Sequence, residues 1–248
     1  MSRAGRIGAE FGAEWRSFTR RRTAVFFTFF FPVILIVIFG ALVRTDPTGG
    51  GLFAEPPGYY VAGYVAVVVL FTPLSRVSST VARNREGNRF EKLATTPLTR
   101  AEWLLAHALV NAVLVGLASV LVLALALVLT DAQFSFSPVF LAFLVAGVTV
   151  FCGFGALLGR LADSQDGAIA AANTIGLPML FLGETFVTRD QLPGWIGPLV
   201  DALPLTYFAR GVREATFSGG PWLADLFVLS VLALVFFVVG AYAIPRTD

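Results

Sequence analysis

The chain has 248 residues, of which 56% are hydrophobic and only 14% charged, with a mean hydropathy of +0.78; a soluble domain carries about a quarter charged residues and has nowhere to hide so much apolar surface. The net charge of +2 is small, and the basic residues stand in clusters parted by apolar runs, an arrangement that argues against nucleic acid as a partner. The single cysteine, Cys152, lies inside an apolar run, so neither an internal disulfide nor a thiolate zinc site is available.

In chain order, the first element is amphipathic. Ile7, Phe11, Trp15 and Phe18 recur at spacings of four, four and three among Arg3, Arg6, Glu10, Glu14, Arg16 and Arg20 to Arg22, which predicts a helix over residues 3–22 lying in the membrane interface. The apolar run that follows lacks a small-residue cleavage site and reads as a retained segment. A helix needs about 20 apolar residues to cross the hydrocarbon, because unpaired backbone groups are not tolerated there. Six segments are assigned on that basis: residues 24–43, 59–77 (continuing toward Ala82, with Arg76 snorkelling to the headgroups), 108–129, 139–161, 168–183 and 222–243. The fifth is the shortest and contains Asn173 and Pro178, so it relies on packing within a bundle.

The expected fold is therefore an all-α membrane protein of six transmembrane helices. Fourteen of the 18 Lys and Arg residues fall on one side of this arrangement, which puts both termini in the cytoplasm. Tyr59, Tyr60, Trp103, Trp222 and Tyr242 fall at span ends, where amphipathic rings favour the headgroup layer. Between the fifth and sixth spans, residues 184–220 are moderately apolar but broken by Pro193, Pro198 and Pro204, which predicts a re-entrant helical segment dipping into the outer leaflet.

Catalytic chemistry has no foothold. No phosphate-cradling glycine loop occurs, the sole lysine is Lys92, and the sole histidine, His107, sits at the start of the third span and reads as an interface residue. No cofactor or metal site is expected. Gly147, Gly153, Gly155 and Gly159 suit close helix packing in the fourth span. Asn111 and Asn173 read as interhelical hydrogen bonds or as substrate contacts, and Glu184 either faces a pathway or ends the fifth span in solvent.

The second cytoplasmic loop has more pattern than orientation requires. Phe90, Leu93 and Ala94 share a face between charged neighbours and Pro97 follows, so residues 84–97 are expected to hold a short amphipathic helix able to dock in a partner's groove. Here the chain resembles the ABC-2 type permeases of ATP-binding-cassette exporters, of the drug-resistance and nodulation kind, on the Arg85 to Gly87 stretch and the Leu93 to Arg100 run with its Thr-Thr-Pro-Leu core. Pro178, Gly183 to Phe186, Leu192 with Pro193, and Pro204 to Tyr207 match a second motif of that family. Leu182 to Thr185 depart from the family's usual Ser-Gly and aromatic pair, which leaves the substrate open.

The resemblance implies one ABC-2 domain over residues 1–248 in the plasma membrane, paired with a second, identical permease and with two copies of a separate cytoplasmic ATPase. It implies export of a hydrophobic or amphipathic, multidrug-type substrate. Glu86, Gly87, Phe90, Leu93 and Pro97 are then expected to contact the ATPase, and Asn173, Glu184, Thr185 and Tyr207 to shape the outer gate or substrate path. An ion- or proton-driven carrier or channel, and a non-transporting membrane scaffold, are the competing readings.

Overall fold

The computed structural model describes residues 2–38, 55–130 and 132–245, and the described residues form helices joined by turns and short irregular segments, without strands. Ten α-helices are named in chain order: α1 Arg3–Arg20, α2 Arg22–Ile36, α3 Pro57–Glu86, α4 Arg89–Ala94, α5 Arg100–Leu129, α6 Val139–Leu161, α7 Gln165–Leu182, α8 Gly197–Ala202, α9 Pro204–Arg213 and α10 Leu223–Ala243. Short 3₁₀ turns at Arg189–Gln191 and Gly194–Ile196 precede α8, and a π-turn at Glu214–Ser218 follows α9.

The helix starts are chemically legible. Ser2 Oγ accepts the Gly5 amide to cap α1, and Ser164 Oγ accepts the Gly167 amide to cap α7. Thr99 and Glu102 form a reciprocal capping box on α5, the hydroxyl taking the Glu102 amide at 3.2 Å and the carboxylate taking the Thr99 amide at 3.0 Å. Pro57 and Pro204 open α3 and α9, where a missing N–H costs nothing.

Four of these helices, α3, α5, α6 and α10, are long and apolar enough to cross a membrane. The described part of α2 covers 15 residues, and the expected first span beyond residue 38 lies outside the described residues. The residues of the fifth expected span form the 18-residue helix α7, which is not among these four because its polar first turn and Asn173 dilute its hydropathy. The fourth matches α6 end for end, whereas α5 begins eight residues before the expected start at residue 108, because its polar first two turns carry the capping box.

α3 is the axis of the bundle. Every residue from Tyr60 to Leu70 is buried, as expected of a helix that is apolar all round and surrounded by others. It packs chiefly against α6 and α7, and α6 in turn against α10. The α6 glycines make this possible. A Cβ on Gly155 would stand 2.8 Å from the Leu74 carbonyl oxygen of α3, one on Gly159 would run into the Ser78 carbonyl, and one on Gly153 would run into α10 at Phe236. In contrast, α5 and α10 leave Leu109, Val113, Leu117, Val120, Phe227, Leu234 and Val235 exposed on the outside of the bundle, an apolar girdle suited to lipid.

Three expectations at this level need correction. Trp103 and Tyr60 are buried inside the chain and do not present their rings to surrounding headgroups. His107 is covered as well, its ring 3.8 Å from that of Trp103 and beneath α1. Arg76 does not extend to headgroups: its guanidinium donates to Asn111 Oδ1 at 3.1 Å and Glu14 Oε1 at 2.9 Å and lies over the Phe18 ring, because α1 folds back along α5 and offers these partners.

Candidate functional site

α3 runs from one end of the bundle, where it meets α9, to the other, where α4 follows it. Clusters of polar side chains gather at both ends, and a cavity lies between them.

At the α4 end, α3 continues straight through Glu86, so the short helix expected over residues 84–97 begins only at Arg89, after a turn at Gly87 and Asn88 in which Asn88 takes a left-handed conformation with φ 51°. Arg85 and Glu86 clasp the turn between α6 and α7. The Arg85 guanidinium donates to the carbonyls of Gly159 (3.3 Å), Arg160 and Ala162 (2.7 Å), satisfying the last turn of α6, and Glu86 Oε1 accepts the Gln165 amide at 2.8 Å, satisfying the first turn of α7. In α4 the Phe90 ring turns into the chain and meets Trp103 edge-on at 5.6 Å, so it anchors the helix and does not belong to a face open to a partner. Leu93 is half-buried, and Glu86, Gly87 and Pro97 are exposed. A shallow groove runs between Leu93 to Arg100 and Ile244 with Pro245.

Between the two ends, α2, α3 and α7 enclose an apolar cavity of about 720 Å³. Phe27, Phe31, Phe71, Phe181 and Phe186 form much of its wall, with the polar groups of Thr28, Thr72, Ser75 and Asn173 set among them and Arg76 at its edge. Among the described residues no carboxylate lines it, so a molecule inside meets aromatic faces and a few hydrogen-bonding groups. Asn173 is exposed on α7 and opens onto this cavity, whereas Asn111 is buried and bonded to Arg76. Thr72, Ser75 and Arg76 were not singled out for this role by the sequence reading, although hydroxyls one helical turn apart within an apolar run are a usable sign.

At the α9 end, Glu184 is buried, 6% exposed, and does not end its helix in solvent. It follows α7 in a left-handed conformation with φ 53°, a strained choice for a non-glycine residue. Arg213 fixes it by donating to its carbonyl at 2.7 Å while lying over the Tyr59 ring at 3.7 Å. Thr185 is fully buried, and its backbone approaches α3 so closely that only a glycine, Gly63, fits opposite. Arg189 bridges Glu184 (3.3 Å) and Asp201 (2.6 Å), and the Arg189 guanidinium, by hydrogen bonding, holds the Asp201 carboxyl below the usual carboxylate range. The Tyr207 hydroxyl donates to the Asp201 carbonyl at 2.6 Å, and Arg210 clamps Asp225 of α10 with three hydrogen bonds. Glu184 and Tyr207 are thus joined through Arg189 and Asp201 in one polar network, Thr185 packs beside it, and Asn173 does not belong to it. Arg189, Arg210, Arg213 and Asp225 were missed. The spacing of three from Tyr207 to Arg210 to Arg213 was their one visible signal.

An all-helical bundle with apolar spans, an apolar outer girdle and polar clusters at its two ends defines a multi-pass membrane protein. The model of the family described as ABC-2 type transporter matches residues 7–217, and the chain belongs to that family. Among curated proteins, the chain is similar to the daunorubicin resistance ABC transporter permease protein DrrB1 of Streptomyces coeruleorubidus, at 28% identity over 191 residues and 74% of this chain. The match spans 65% of that relative's length, less than two thirds of it.

Proposed function

We propose that the chain is the membrane subunit of an ATP-driven ABC exporter, working as a pair of identical permeases with two copies of a separate cytoplasmic ATPase. In this reading α2 and α7 are spans alongside the four longer helices, both termini are cytoplasmic, α1 lies at the cytoplasmic interface of the plasma membrane, and residues 184–220 form the re-entrant outer segment. The observation that carries the proposal is the clasp made by Arg85 and Glu86. It ties the last turn of α3, from which α4 follows, to the end of α6 and the first turn of α7, and α7 is a wall of the apolar cavity. A push on α4 by an ATPase would therefore reach the cavity through the end of α3 and α7.

The roles follow. Glu86, Gly87, Leu93 and Pro97 meet the ATPase while Phe90 anchors α4 from behind, and Asn173 contacts substrate. Glu184, Thr185 and Tyr207 belong to the outer gate, where the Arg189 bridge keeps a strained closure in place. The phenylalanine-lined cavity suits an aromatic amphiphile, and the relative named for daunorubicin resistance supports that choice.

The test is reconstitution of the full chain with its candidate ATPase in liposomes. Aromatic amphiphiles are expected to stimulate ATP hydrolysis and to move across the bilayer only with ATP. Ser75→Trp, which fills the cavity, should abolish the stimulation while basal hydrolysis persists. Movement driven by a proton gradient without ATP would establish the carrier reading instead, and failure to bind any ATPase would leave the scaffold.

A further inference from the structure

A second pocket, of about 520 Å³, lies at the α4 end, enclosed by α1, α3, α4 and α5 and separate from the aromatic cavity. Arg83 of α3 and Arg89 and Lys92 of α4 reach it from one side, and His107 and Trp103 of α5 from another. None of Arg83, Arg89 and Lys92 has a carboxylate within 4.0 Å among the described residues. Arg21 adds its charge nearby, since it and Arg89 both press electrostatically on Arg83. Two carboxylates also line the pocket, but each is engaged: Glu14 with Arg76 at 2.9 Å and Glu10 facing His107 at 3.5 Å. The cations are in excess.

Two buried polar atoms here lack a hydrogen bond among the described residues: Arg83 Nε and His107 Nε2, the latter in a residue that is 2% exposed and facing only the Glu10 carboxylate at 3.5 Å. Leaving donors dry is costly, and gathering three unpaired cations around them adds repulsion, so the pocket is built for a ligand that supplies acceptor oxygens and negative charge. The Thr80, Thr96 and Asn84 side chains line it too and offer neutral hydrogen bonds.

We propose that this pocket binds a phosphate-bearing anion, and that the phosphate is the headgroup of an anionic phospholipid in the cytoplasmic leaflet. The lipid source rests on the orientation proposed above, which sets the pocket under an interfacial helix at headgroup depth. A bound phosphate draws α4, through Arg89 and Lys92, toward α3 and α5, so the lipid composition of the leaflet sets the stiffness of the element that meets the ATPase.

Lipid retention is measured on the purified full chain by native mass spectrometry, without ATP or ATPase, so its outcome stands apart from that of the transport reading. Phosphatidylglycerol is expected to be retained about tenfold over phosphatidylcholine of the same chains. The R89Q/K92Q variant, which alters two exposed and unpaired side chains, should lose that preference at an unchanged melting temperature, and R16Q/R20Q, on the exposed face of α1, should keep it. Displacement of the lipid by millimolar inorganic phosphate supports the anion site and overturns its lipid source. Equal retention by R89Q/K92Q, or equal loss by R16Q/R20Q, overturns the site in favour of diffuse attraction. Loss of ATPase binding by R89Q/K92Q with lipid retention intact assigns the cations to the protein partner and overturns it as well.

Discussion

Arg85 does at one residue what two separate caps would otherwise do, since its guanidinium fork spans three carbonyls at the end of α6. Arg85→Ala leaves those carbonyls to compete for water and is expected to cost about 1–3 kcal/mol in a detergent melt, with Arg85→Lys restoring less than half because an ammonium has no planar fork. Asp201 behaves differently, because its pairing with Arg189 is half exposed. A carboxyl held below its unfolded pKa of about 3.9 contributes stability above that pH and loses the contribution as pH falls through the lower folded value. The Arg189 bridge should therefore weaken only under acid conditions, below about pH 4. Asp201→Asn should flatten the acid limb of a melting-temperature profile, and added salt should shrink the difference between the two proteins. An unchanged acid limb in the variant would show that the bridge does not form.

At the scale of the element, the role proposed for α4 separates anchoring from contact. Phe90→Ala empties a packed site against Trp103 and should cost about 3–5 kcal/mol, seen as a lower melting temperature. Pro97→Ala alters an exposed residue and is expected to leave the melt within about 1 kcal/mol, Leu93→Ala alters a half-buried one and should cost less than Phe90→Ala, and both should reduce substrate-stimulated ATP hydrolysis several-fold. The reverse pattern would remove α4 from the coupling surface. The direction of Phe90 was not legible in the sequence, because a helix of six residues is too short for its period to fix a buried side. α6 was legible to its ends, since an apolar block stops at polar or turn residues on both sides. The start of α5 was hidden by counting apolar residues alone, although Thr99 and Glu102 spell its cap. The buried positions of Trp103, His107 and Arg76 depend on α1 folding back on α5, a long-range choice that no local window contains. Likewise the motif residues Glu184, Thr185 and Tyr207 stood out as a group, but the arginines that join them are brought in from α9 and the preceding turn by tertiary structure.

For the whole molecule, everything proposed about sidedness turns on α7. If it crosses, the α4 and α9 ends face opposite compartments; if it does not, the C-terminus changes sides and the outer gate becomes a cytoplasmic loop. Its composition alone is a poor guide, because an 18-residue helix with Asn173, Pro178 and an acidic first turn gains most of its stability from packing on α3 and not from lipid. The chain carries a built-in means of deciding. Its single cysteine, Cys152, is fully buried in α6, so it is silent to thiol reagents in the folded protein and an added cysteine reports alone. Asp163→Cys sits in the exposed turn before α7, and Gly194→Cys sits beyond it where a new side chain meets nothing within 4 Å. A membrane-impermeant maleimide should label Gly194→Cys in intact cells, and Asp163→Cys only after permeabilisation. Labelling of both from the same side would take α7 out of the set of spans, and with it the link from α4 through Glu86 to an outward-facing gate.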